Sequence, residues 1–239
     1  MKIEVFADPD SVARQVAHII AAEAREAIAE RGRFVVAFSG GHTPRKMLRA
    51  LADEDVPWAS VHIVQVDERV APAGDPDRNL THLRESLLDH APVPPDHVYA
   101  MPVEASYLDA AAAQYALTLE RLAGSPPVLD LVHLGLGPDG HTASLVPGDP
   151  VLEIANADVG VTGAYQGRPR MTLTYPILNR SRRILWLMAG GEKAEMLVRL
   201  TNGDQSIPAG RLRQDAALVL ADRAAAQQLG TSVRLDAKS

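Results

Sequence analysis

A histidine closing a glycine-rich run is the sharpest chemical feature of this sequence: Gly135-Leu136-Gly137-Pro138-Asp139-Gly140-His141-Thr142-Ala143-Ser144. Imidazole has an ordinary pKa near neutrality, which suits it to take a proton from water. Asp139, two residues earlier, can orient that ring or cap the loop. His133 lies inside the apolar run Leu129-Asp130-Leu131-Val132-His133-Leu134 and reads as a hydrogen-bonded core histidine instead. His18, His62, His82, His90 and His97 have no motif around them. No His-x-x-x-His or His-Glu-x-x-His spacing occurs, so no metal or other cofactor is expected.

Three further stretches carry chemistry. In Ser39-Gly40-Gly41-His42-Thr43-Pro44 the glycines let the backbone approach a ligand closely. Thr43 is expected as a helix N-cap and Pro44 at the first helical position. Free amides at a helix N-terminus favour phosphate, although a tight strand-to-helix turn without a ligand accounts for the run equally well. No dinucleotide glycine pattern and no Walker loop is present. Asp67-Glu68-Arg69 follows an apolar strand, and charges there cannot stay buried unpaired. Arg69 is a natural fork for phosphate oxygens, and a surface ion-pair cluster is the plainer account. In Gly190-Gly191-Glu192-Lys193 the lysine opens a helix, the wrong end for a cation unless an anion sits between it and the amides. A solvated lysine is again the plainer account. Each stretch is weak to moderate alone. Together, at successive strand ends, they describe a site for a phosphorylated small molecule with a histidine beside it.

The elements that must position these residues alternate. A helix is expected over 11–31, a strand over 34–38, and a helical face at Met47, Leu48 and Leu51. A strand over 61–66, a helix through Leu83, Leu87 and Leu88, and an alanine-rich helix over 106–123 follow. Strands are expected at 129–134, 171–174, 184–188 and 217–220, with helices through Met196, Leu197 and Leu200 and from Ala224 to Leu229. Continuous apolar strands between helices imply an α/β fold. The expected architecture is a mainly parallel sheet with helices on both faces, three-layered and Rossmann-like. One domain over 1–239 is expected, with a small lobe from 142–175, where the alternation weakens. Ligands of such open sheets bind outside the carboxyl ends of the strands, where all four stretches fall.

Composition removes other classes. There is no cysteine, which excludes disulfides, thiolate metal sites and cysteine nucleophiles. A net charge of −6 disfavours nucleic acid and acidic membrane as partners. Aromatic residues are only 4%, little material for stacking platforms. No apolar run is long enough for a membrane helix, and the N-terminus does not read as a signal peptide. The expectation is a cytoplasmic protein, a monomer or small homo-oligomer.

The stretches Phe38 to Pro44, Asp67 to Asn79, Gly135 to Gly148, Arg170 to Asn179 and Gly190 to Lys193 resemble the 6-phosphogluconolactonase family, whose fold is shared with glucosamine-6-phosphate isomerase/deaminase. The resemblance covers nearly the whole chain. After the histidine the deaminases typically continue Ile-Ala-Phe-Asn-Glu, whereas this chain has Thr142-Ala143-Ser144-Leu145-Val146. Val146, Val66 and Arg78-Asn79-Leu80 depart from the family's usual Phe, small residue and Ser-Asn-Tyr, and an inward Arg78 would add positive charge near the substrate. The resemblance implies hydrolysis of 6-phospho-D-glucono-1,5-lactone, with His141 activating water without a metal. Asp139 would orient His141, and Asp67 would orient water or a sugar hydroxyl. Arg69, Lys193, Thr43 and the Ser39-Gly40-Gly41 turn would hold the phosphate, with Arg170 a further candidate. A deaminase or isomerase, and a non-catalytic sugar-phosphate sensor, are the competing expectations.

Overall fold

The computed structural model describes residues 1–230 and 236–237. Strand β1 (Lys2–Phe6) leads into α1 (Pro9–Arg31). Asp8 starts that helix by accepting the Ser11 amide at 2.7 Å, and Gly32, at φ 75°, ends it. Next come β2 (Phe34–Phe38), α2 (His42–Ala52), β3 (Val61–Gln65) and the short β4 (Asp67–Arg69). Helix α3 (Asn79–Leu83) runs on through one π-helical turn to Leu88. Then follow β5 (Val98–Tyr99), α4 (Leu108–Ala123), β6 (Leu131–Leu134), β7 (Val159–Val161) and β8 (Arg170–Leu173). The chain continues through α5 (Tyr175–Arg180), β9 (Arg183–Met188), α6 (Ala194–Thr201), β10 (Ala217–Asp222) and β11 (Asp236–Ala237).

The main sheet is parallel throughout, in the order β11-β1-β10-β9-β6-β2-β3-β5. Side chains of a strand alternate between faces, so β2 feeds two cores. Phe34, Val36 and Phe38 pack with α1 and α2, while Val35 and Ala37 pack with α4 and α6. Both faces are covered, which is why these strands read as unbroken apolar runs. From β2 the chain builds outward to β3 and β5, then returns to β6 on the other side and builds out to β9 and β10. The order therefore reverses between β2 and β6, and a crevice opens at such a switch point.

The 142–175 region is not a separate lobe. Its strands β7 and β8 join β4 in a three-stranded antiparallel sheet, and Leu145, Val159, Met171 and Leu173 belong to the core on the α4 face. Two other expectations are corrected. Helix α2 starts two residues earlier, with Gly41 as N-cap and no side-chain cap, so Thr43 and Pro44 sit inside its first turn. Residues 224–229 form consecutive turns instead of a helix: Asp222 takes the amides of Ala225 and Ala226, and the Leu229 amide reaches back only to Ala226.

Candidate active site

The loops leaving β2, β3, β6 and β9, neighbours in the sheet, meet in one cleft of about 340 Å³. Every residue expected at the site lines this cleft except Asp139, which stands behind His141. Gly137 makes the histidine's position possible: a Cβ there would lie 2.0 Å from His141 Nδ1. Gly41, at φ 116°, turns the chain from β2 into α2 and points the helix N-terminus at the cleft.

Asp139 Oδ1 lies 2.5 Å from His141 Nδ1 and also accepts the His141 amide at 3.2 Å. Burial alone would raise the Asp139 pKa, but the hydrogen bonds and charge of His141 outweigh it and hold the carboxyl below its usual range. An ionised carboxylate can only accept, so Nδ1 carries the hydrogen and donates it, which leaves Nε2 as the ring's acceptor. Such an arrangement can serve as the orienting half of a base–carboxylate pair.

Arg69 and Arg170 face each other directly across the β4–β8 ladder. Like charges placed so are unfavourable unless something anionic answers them. Asp67, on the same ladder, draws the Arg170 pKa upward; burial and Arg69 pull it down, and the net shift is downward. Each arginine keeps a buried Nε–H without a protein acceptor among the described residues. Arg69 also donates to the Asp77 carbonyl at 2.6 Å. Lys193 ends a 3₁₀ turn just before α6, 4.0 Å from Glu192, with both side chains lining the cleft. The loop is held by Asp222, which accepts the Gly190 amide at 3.1 Å.

The two remaining polar candidates are already engaged. Ser39 Oγ bonds His133 Nδ1 at 3.1 Å, so what it offers a ligand is its backbone. Asp67 is buried, accepting Ser144 Oγ at 2.6 Å and Asn79 Nδ2 at 3.1 Å. Glu68 and Arg78 do not face the cleft. Arg78 Nε lies 3.0 Å from Glu68 and its Nη1 2.8 Å from Glu104, so Arg78 adds no free charge to the pocket. Glu68 also accepts the amides of Arg69, Asn79 and Leu80, which pins the start of α3 to β4.

Sequence reasoning missed Ser144, Asn79 and Tyr165. Ser144 was visible only as part of the glycine–histidine run. Asn79 lies against Gly40 so closely that a Cβ at position 40 would sit 1.8 Å from its Oδ1. Tyr165 donates to Asp139 Oδ2 at 3.2 Å from a loop with no motif around it.

The family of glucosamine-6-phosphate isomerases/6-phosphogluconolactonase matches residues 7–220. A 6-phosphogluconolactonase of Synechocystis sp. is 39% identical over 72% of this chain and 73% of its own. One of Mycobacterium tuberculosis is 35% identical over 95% and 98%. The crystal structure of a 6-phosphogluconolactonase from Thermotoga maritima superimposes with a TM-score of 0.81 at 27% identity, covering 92% of this chain and 99% of that one.

Proposed function

The chain belongs to the glucosamine-6-phosphate isomerase/6-phosphogluconolactonase family, and from that premise we propose that its cleft hydrolyses 6-phospho-D-glucono-1,5-lactone to 6-phospho-D-gluconate. That reaction is the second step of the oxidative pentose phosphate pathway. The observation that carries the reading is one cleft holding a carboxylate-backed histidine and, beside it, three cationic side chains. The run Thr142 to Val146 disfavours the amino-sugar chemistry of the deaminase relatives.

In this mechanism water attacks the lactone carbonyl carbon while His141 Nε2 takes its proton. Asp139 supports the imidazolium that forms. The tetrahedral intermediate collapses by breaking the bond to the ring oxygen, which receives the proton from His141. The products are the open hydroxyl and a carboxylic acid, which ionises. General-base help of this kind contributes about 10²–10⁴ in rate. Arg69, Lys193, the Gly40 and Gly41 amides and Thr43 hold the phosphate, with Arg170 beside them. Asp67, which lines the cleft and is held from behind by Ser144, orients a sugar hydroxyl or the water.

The test is a lactonase assay on freshly made lactone, with spontaneous hydrolysis subtracted, comparing wild type with His141→Ala. The proposal expects wild-type turnover well above background and a fall of about 10² or more in the variant. Equal rates would overturn the assignment.

A further inference from the structure

Tyr165 touches both halves of the site without lining the cleft. Its hydroxyl donates to Asp139 Oδ2 at 3.2 Å, the oxygen that His141 does not use. Its ring meets the His141 ring edge-on, centroids 5.4 Å apart. The Arg170 guanidinium carbon lies 4.9 Å from the ring centroid. Burial and then the charge of Asp139 raise the Tyr165 pKa, which keeps the hydroxyl protonated and donating.

The tyrosine is mounted on a small, well-defined support. Tyr165 and Arg168 exchange backbone hydrogen bonds, and between them Gln166 and Gly167 sit at φ 53° and 84°. That is the backbone of a two-residue hairpin of the I′ kind. Gln166 Oε1 accepts from Arg170 at 3.1 Å, and Arg168 pairs with Asp75 and Asp77. The hairpin is thus tied to the loop whose Asp77 carbonyl steadies Arg69.

We propose that Tyr165 is a positioning residue that holds the Asp139–His141 pair and the Arg170 guanidinium in one frame, so that base and anion clamp are set relative to each other. The proposal rests on the lactonase reading for its kinetic consequences, but the frame itself is a property of the free protein. Loss of the hydroxyl frees Asp139 Oδ2 and lets the carboxylate turn out of line with His141 Nδ1. A misaligned carboxylate holds a protonated imidazole less firmly, so the acid limb of the rate profile moves to lower pH. The charged and titratable groups around this pair are His141 and Tyr165 on Asp139, Arg170 on the far side of the tyrosine ring, and Arg69, Asp67, Lys193 and Glu192 along the cleft.

The experiment compares Tyr165→Phe and Tyr165→Ala with wild type. Tyr165→Phe should lower kcat about threefold to tenfold, leave KM nearly unchanged and move the acid limb downward. Tyr165→Ala should add a rise in KM, because Arg170 loses the ring it lies over. In the ligand-free proteins, ¹⁵N spectra of the imidazoles, with His141 assigned from His141→Ala, should show the Nδ1–H form in wild type and a mixed population in both variants. An unmoved acid limb with an unchanged tautomer in Tyr165→Phe overturns the proposal. So does a drop in melting temperature that leaves both readouts in place. A changed tautomer in a protein without lactonase activity would support the frame while rejecting the lactonase reading.

Discussion

His133 and His141 belong to one stretch of chain, the first inside β6 and the second in the loop that leaves it, and the two regions treat an imidazole in opposite ways. His133 is fully buried, its Nδ1 on the Ser39 hydroxyl, and burial pushes its pKa down to about 3. It stays neutral at every ordinary pH. His141 keeps access to the cleft and has a carboxylate at Nδ1. A strand interior supplies neither water nor a counter-charge, so the residue type alone decides nothing. Gly135, Gly137 and Gly140 carry the chain out of the sheet and fold it back so that the ring lies on Gly137.

The sharpest way to break this contrast is to exchange each side chain. His141→Ala should cost about 10² or more in turnover and little in stability, since the side chain is partly exposed. His133→Gln should do the reverse, with turnover largely kept and the unfolding midpoint lowered. Steady-state assays and denaturant melts on both variants check this, and a catalytic collapse in His133→Gln would erase the distinction. Asp139→Asn comes next, with about 10–10² lost in turnover. An amide beside Nδ1 neither supports imidazolium nor enforces the Nδ1–H tautomer. The loss should appear in kcat rather than KM.

The contrast between the two histidines is legible in the sequence alone. His133 sits in an unbroken apolar run, and His141 ends a run of turn-forming residues. The parallel sheet is legible for the same reason, because strands covered on both faces, such as Phe34–Phe38, are apolar at every position. Pairings between distant segments are not. That Arg170 stands opposite Arg69 depends on β4 and β8 meeting across the molecule, that Tyr165 reaches Asp139 depends on the hairpin before β8, and that Arg78 turns onto Glu68 depends on how α3 docks on β4. The expected helix at 224–229 failed on a local matter. Asp222 takes the Ala225 amide as an N-cap would, but beyond Ala226 the amides of Gln227 and Leu229 reach back only three residues, so the segment stays in turns.

The proposed anion clamp extends the comparison from the proposed base to binding. The chain carries a net charge of −6, so a phosphorylated ligand is repelled at long range and must be held by local cations. Arg69→Met should raise the dissociation constant of 6-phosphogluconate about tenfold, about 1.4 kcal/mol, with kcat less affected. Lys193→Met should do somewhat less, because Glu192 already lies beside that ammonium. Titration calorimetry at two salt concentrations checks both. The wild-type affinity should weaken with salt and the variants' affinity should weaken less. A variant with undiminished affinity would remove that residue from the clamp.

The smallest expected effect is on stability, and it isolates His133. In the unfolded chain this imidazole takes up a proton near its ordinary pKa of about 6.5, whereas the folded protein refuses it until about pH 3. Between those values the unfolded state binds the extra proton, so stability rises with pH there and falls as pH is lowered. The contribution is complete above about 6.5 and is lost at about 1.4 kcal/mol per unit below it. Wild type should therefore lose more stability than His133→Gln between pH 7.5 and 5.5, by roughly 1–1.5 kcal/mol. His141→Ala should keep the slope that His133 supplies. A wild-type-to-Gln gap that does not narrow on acidification would mean that the strand interior admits a charged imidazole, and the opposition between the two histidines would then rest on the Asp139 carboxylate alone.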